Sequence, residues 1–185
     1  SKTVALDRVE TSLAASGATR PRIQPVQNPV PQIRVSYSPS LLIRIDGTPV
    51  LRRIEGTPFE RVINTRPLLA REVSGAAYYL HLYDGWVVAP ALSGPWRTAA
   101  APPSGLDALA TSLASRQQID LLSGSGAQPG PELAHGAPAI FVSEVPTELI
   151  EFAGPPRDEP IQGTRLTICA NTDSDVIADP NRGHY

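Results

Sequence analysis

The sequence predicts a mainly β protein of two related β-rich copies, with one amphipathic helix on the connection between them. Three observations lead there. Twenty Pro and 14 Gly are spread along 185 residues. Pro fixes φ and lacks a backbone donor, so it suits strand ends, edges and turns and disrupts helix interiors. Secondly, the segment from Pro31, "PQIRVSYSPSLLIRIDGTPVLRRIEGTPFERVINT", aligns without a gap with "PAIFVSEVPTELIEFAGPPRDEPIQGTRLTICANT" from Pro138, a constant distance of 107 residues with 14 identities in 35 positions. Internal repeats of this kind indicate duplicated structure. Thirdly, one stretch alone carries helical periodicity.

Residues 3–13, "TVALDRVETSL", alternate enough for an edge strand, and the Pro/Ser/Gln-rich residues that follow, to about position 30, read as an arm. Strands are expected near 32–36, 41–45, 50–54, 59–63 and 67–71, each bounded by Gly, Pro or Asn. "YYLHLYDGWVV" is the clearest hairpin, with Asp84-Gly85 suited to a two-residue turn. This first copy spans 31–98. Over 104–122, Leu106, Leu109, Leu113, Ile119 and Leu122 form an apolar stripe, with Ser104 as a cap and Asp107 at the positive end of the helix dipole. The helix and the Gly/Pro-rich linker occupy 99–137. The second copy, 138–185, has strands expected near 139–143, 148–152 and 165–170.

The repeated residues are of structural types. Gly56 and Gly163 offer positive φ for turns, while Asn64 and Asn171, each followed by Thr, suit side-chain bonds to nearby backbone. Carrying the register on brings Tyr78 onto Tyr185, so the second copy stops where the first enters its hairpin. The expectation is an incomplete copy, cut short or finished by another chain.

Charge and composition narrow the function. A net charge of −2 argues against nucleic acid, whose binders carry basic patches. No apolar run approaches the roughly 18 residues needed to cross a bilayer. The absence of Met, even at position 1, points to a processed or trimmed terminus. Cys169 stands alone in "LTICAN" and reads as a buried thiol.

Chemistry-bearing patterns are sparse. His81, His135 and His184 have no zinc spacing, and no nucleophile elbow is present. Asp173 and Asp175 have the spacing of a cation loop without its Gly and distal Glu, so a solvated turn is the reading. No cofactor is expected. The most informative surface is the hairpin, with Tyr83 opposite Trp86, His81 opposite Val88, and Tyr79 joining that face. With Trp96, these residues are the candidate ligand contacts, because aromatic faces stack on sugar C–H groups while their polar tips bond hydroxyls. Packing of this face on another layer of the same protein is weighed above ligand contact.

The units "IEGT", "VINT", "YY", "DGWVVAPALSGPW", "IQGT" and "NTDSD" resemble those of bacterial exported repeat proteins of the carbohydrate-binding family V/XII-like type. That likeness covers residues 31 to 185 in outline. It rests on Ile54, Gly56, Thr57, Asn64, Thr65, Tyr78, Tyr79, Trp86, Gly94, Pro95 and Trp96, then on Ile161, Gly163, Thr164, Asn171, Thr172 and Tyr185. It implies a periplasmic or secreted envelope protein. The sequence reading is therefore a non-catalytic exported binding or scaffold protein, with a polysaccharide or protein partner. The alternative is a structural subunit of an envelope assembly whose second copy another chain completes. A hydrolase using Asp173 or His81 is the third reading.

Overall fold

A computed structural model describes residues 29–123 and 132–181. The strand expected at 3–13, most of the arm, part of the linker, His184 and Tyr185 lie outside the described residues. Within them the protein is mainly β, with one α-helix and several sheets. No helix among the described residues is long and apolar enough to cross a membrane.

Alternating apolar residues build a six-stranded antiparallel meander. Its strands are β3 (Leu51–Arg53), β4 (Phe59–Val62), β5 (Leu69–Glu72), β6 (Tyr78–Leu82), β7 (Gly85–Ala89) and β8 (Arg97–Thr98), hydrogen-bonded in chain order. Because side chains alternate across a strand, this sheet is apolar on both faces. Val62, Leu69, Leu80, Leu82 and Val87 form one core with Ile43 and Ile45. Phe59, Leu68, Ala70 and Trp86 form the other with Leu106, Leu109, Ala110 and Leu113 of helix α1 (Leu106–Ser115).

Helix α1 is shorter than the apolar stripe predicts. Its N-cap is Gly105 at φ 93, with no side-chain cap, so Ser104 does not cap it. Its C-terminus closes where Gln117 takes a left-handed φ of 56, with Gln117 N–H donating to the Ala114 carbonyl and Gln118 N–H to that of Leu113. This pair of bonds is a Schellman closure, usually marked by Gly. A Gln there gives the sequence no stop signal, so the apolar stripe reads on through Ile119 and Leu122. Both instead pack from the following loop, Ile119 on the helix-side core and Leu122 on the opposite one.

The remaining strands pair across the chain. Strand β1 (Gln32–Ser36) runs parallel to β10 (Thr147–Glu151), and β2 (Ser40–Arg44) runs parallel to β9 (Ala139–Ser143). The pairing is reciprocal: Gln32 meets Thr147 while Ser40 meets Ala139, and each pair is the other with its members displaced by 107. The flanking bonds reciprocate too. Gln32 N–H donates to Pro146 O and Ala139 N–H to Pro39 O; Ile45 N–H donates to Ser143 O and Phe152 N–H to Ser36 O. Both strand pairings are thus related by one displacement of 107 residues. A fourth sheet follows, β11 (Asp158–Pro160), β12 (Thr167–Cys169) and β13 (Ile177–Ala178). The sequence reading missed β8, β11 and β13, which are only two or three residues long.

The shared motif residues have structural tasks. Asn64 Oδ1 accepts from Val50 N–H, while Nδ2 donates to the Asp46 and Thr48 carbonyls. Asn171 does the same with Arg157 N–H and the Ala153 and Pro155 carbonyls. Thr57 and Thr164 donate at 2.9 Å to the carbonyls of Ile54 and Ile161, around Gly56 at φ 74 and Gly163 at φ 79. A non-Gly residue at such φ costs roughly 1–2 kcal/mol, which explains Gly in these turns.

Candidate functional site

The aromatic hairpin was the expected contact surface, and its residues are not where an open face would put them. Its two-residue loop is Tyr83–Asp84, with Leu82 paired to Gly85, His81 to Trp86 and Tyr79 to Val88. The expected Asp84-Gly85 turn is therefore displaced by one residue. Contacts from outside the hairpin hold it there. Tyr83 sits at φ 55 and its N–H donates to Leu122 O at 3.1 Å. Asp84 Oδ1 accepts from Leu133 N–H at 2.9 Å, in the 3-10 turn Leu133–His135. Moving both ends of the turn back by one shifts each partner by two, so faces are conserved. Tyr79, His81 and Trp86 still share a face; Tyr83 leaves it for the loop.

That face is covered. Trp86 is 3% exposed, lies beneath α1 and donates from Nε1 to Asp107 Oδ1 at 2.6 Å. Tyr79 packs half-buried on the same core. The His81 ring stands edge-on to Trp86 at 5.0 Å, and its Nδ1 lies 2.7 Å from the Leu121 carbonyl. A carbonyl only accepts, so Nδ1 carries the proton and donates. Trp96 and Tyr83 pack on the opposite core, and Trp96 Nε1 donates to Leu92 O at 3.3 Å. The structure thus packs Tyr79 and Trp86 on one core and Tyr83 and Trp96 on the other, with His81 edge-on to Trp86, the arrangement of a packing face. The missed signal was Asp107: an acidic residue in a first turn also fits an indole N–H acceptor.

Among the described residues no group of three or more His, Cys, Asp and Glu is placed to hold a metal ion. Cys169 is buried, and its Sγ–H donates to Asp158 Oδ1 at 2.8 Å. Burial, then the neighbouring Asp158 carboxylate, push the thiol pKa up to about 11. A nucleophilic Cys needs the opposite shift. At pH 8, N-ethylmaleimide should therefore modify the native thiol at least about tenfold more slowly than the urea-unfolded thiol. Equal rates would show an accessible, ordinary cysteine. Because the folded-state value is raised, the thiol's stabilising contribution is complete below the unfolded value of about 8.5. It is lost as pH rises towards about 11.

Two open grooves sit at corresponding places. The larger, about 910 Å³, includes Leu42, Arg44, Asp46, Asn64, Thr65 and Arg66. The smaller, about 410 Å³, includes Leu149, Glu151, Ala153, Asn171, Thr172 and Asp173, the same positions displaced by 107. Arg44 and Arg66 thus give way to Glu151 and Asp173. Asn64 and Asn171 are already engaged with backbone, which leaves neither groove an uncommitted amide.

The strongest contrast lies elsewhere. Ile140 and Val142 on β9 pack against the core formed with the six-stranded sheet. Their counterparts on β1, Ile33 and Val35, are 50% and 46% exposed. Comparison with protein-family models, with curated proteins and with solved structures finds no significant match to this chain.

Proposed function

We propose that this protein is a non-catalytic docking or scaffold module of two copies of one unit, holding a protein partner on the apolar face of β1, the strand that pairs with β10. One observation carries the reading: of two equivalent apolar pairs, Ile140 and Val142 are partly buried against a core, whereas Ile33 and Val35 are half-exposed. Exposed neighbouring apolar side chains on a regular element mark interaction surfaces more often than chance positions. The shared motif residues support it, since their side chains are engaged with local backbone. The likeness of the Ile-x-Gly-Thr and Asn-Thr units to exported repeat proteins supports an envelope setting. Sugar binding through Tyr79, His81 and Trp86 loses its support, because Tyr79 and Trp86 pack in the core shared with α1 and His81 is engaged by Trp86 and the Leu121 carbonyl.

The environment-sensitive dye bis-ANS tests the reading. Its fluorescence should rise on binding native protein and fall at least about threefold with Ile33→Asp/Val35→Asp, while Tyr83→Ala and Trp96→Ala leave it near the parental level. Dye binding indifferent to Ile33 and Val35 would remove the docking surface. Turnover in a screen of ester, peptide and glycoside substrates would remove the non-catalytic assignment.

A further inference from the structure

We propose that the larger groove binds a phosphate monoester on a short apolar body, held by Arg44 and Arg66. The site is separate from the docking face, since none of its lining residues lies on β1. Its framework is the antiparallel bridge between Ile45 and Thr65. Asp46 N–H donates to Asn64 O at 2.8 Å beside it, and the Thr65 hydroxyl donates to Arg44 O at 2.7 Å. The bridge sets Arg44, the residue before it on one segment, beside Arg66, the residue after it on the other. Both are exposed and both line the groove.

Like charges placed across from each other weaken a strand pair unless something offsets them. Among the described residues nothing does, because neither guanidinium has a hydrogen-bond or ion-pair partner. Elsewhere facing arginines are anchored: Arg52 lies opposite Arg61, and Arg61 Nη1 donates to the Gln118 carbonyl at 3.2 Å. The equivalent bridge, Phe152 with Thr172, has Glu151 and Asp173 at the flanking places, while Asn171 and Thr172 are retained. The framework therefore does not require arginine at either position. What the pair supplies is two positive charges and two planar forks of N–H donors, which suit a phosphate dianion. Asp46 and Glu144 also line the groove, beyond ion-pair distance of either guanidinium, and confine an anion to the arginine end. Much of the remaining wall is apolar, with Leu42, Ile63, Leu122 and a 47% exposed Val145. A bare anion leaves that wall in water, whereas a short alkyl body covers it. At about 910 Å³ the groove has the size of a small-molecule site.

Isothermal titration of the full chain with hexyl phosphate tests the site at about pH 8, where a phosphate monoester with a second pKa of about 6 is a dianion. Saturable binding to one site is expected. It should weaken at least about tenfold in Arg44→Gln/Arg66→Gln and at least about threefold in Val145→Ser. Arg52→Gln should leave it within about twofold. All four positions are exposed, and circular dichroism verifies that the variants fold. On the parental chain, raising NaCl from about 0.05 M to about 0.5 M should weaken binding at least about fivefold, because salt screens exposed charges. Inorganic phosphate should bind more weakly than hexyl phosphate, and hexanol should not bind. Absence of saturable binding, or binding indifferent to Arg44 and Arg66, overturns the proposal. Equal affinity for inorganic phosphate or for hexanol overturns it as well.

Discussion

Trp86→Ala should lower the unfolding free energy by about 3–5 kcal/mol, the range for deleting a buried aromatic side chain. The reason is position. Trp86 is buried in the core that the meander shares with α1, and its indole N–H is paired to Asp107 in the helix's first turn. Removing the ring leaves a cavity between Phe59, Ala70 and Leu109 and takes away the group that seats the helix. Trp86→Phe retains most of the volume and deletes only the donor, so about 1.5–2 kcal/mol is expected, the low end of the range for bonds to charged groups. Asp107→Asn should cost less than Trp86→Ala, because the ring remains. Urea denaturation followed by far-ultraviolet circular dichroism measures all three. Amide exchange over Leu106–Ser115 should accelerate most in Trp86→Ala. A loss below about 1 kcal/mol in that variant would mean that the helix is held by other contacts and that the face is open to ligands after all.

Much of this fold was legible because its punctuation is chemical. Gly56, Gly163, Asn64 and Asn171 mark turns through backbone conformation and side-chain bonds, and those effects are local. The first strand of each copy starts and ends where alternation and Pro indicated. What escaped reading was non-local. Nothing within "LIRI" states that β2 will lie parallel to a strand about a hundred residues away. The turn at Tyr83–Asp84 is set by Leu122 and Leu133, so local preference for Asp-Gly lost to tertiary bonds. The aromatic face misled for a related reason. Period-two alternation shows that two faces differ and leaves open which of them is covered. Here both are, one by aliphatic strands and the other by a helix from a later segment.

The relation between the halves gives the second large effect. Ile43 and Ile150 occupy equivalent places, β2 and β10, and pair reciprocally with β9 and β1. Ile43 is 1% exposed against the six-stranded sheet, whereas Ile150 is only half-buried. Ile43→Ala should therefore cost about 2–5 kcal/mol, transfer plus cavity, and Ile150→Ala about 1 kcal/mol, because surroundings open to water leave less to lose. Asn64→Ala and Asn171→Ala supply the internal standard. Each removes an acceptor for one backbone N–H and donors for two carbonyls, in matching geometry. Their costs should agree within about 0.5 kcal/mol. Chemical denaturation of the four variants thus separates what the units share from what distinguishes them. Equal losses at Ile43 and Ile150 would show that the second half is as fully covered as the first, and the apolar docking surface would go with them. Unequal losses at the two Asn positions would break the equivalence itself.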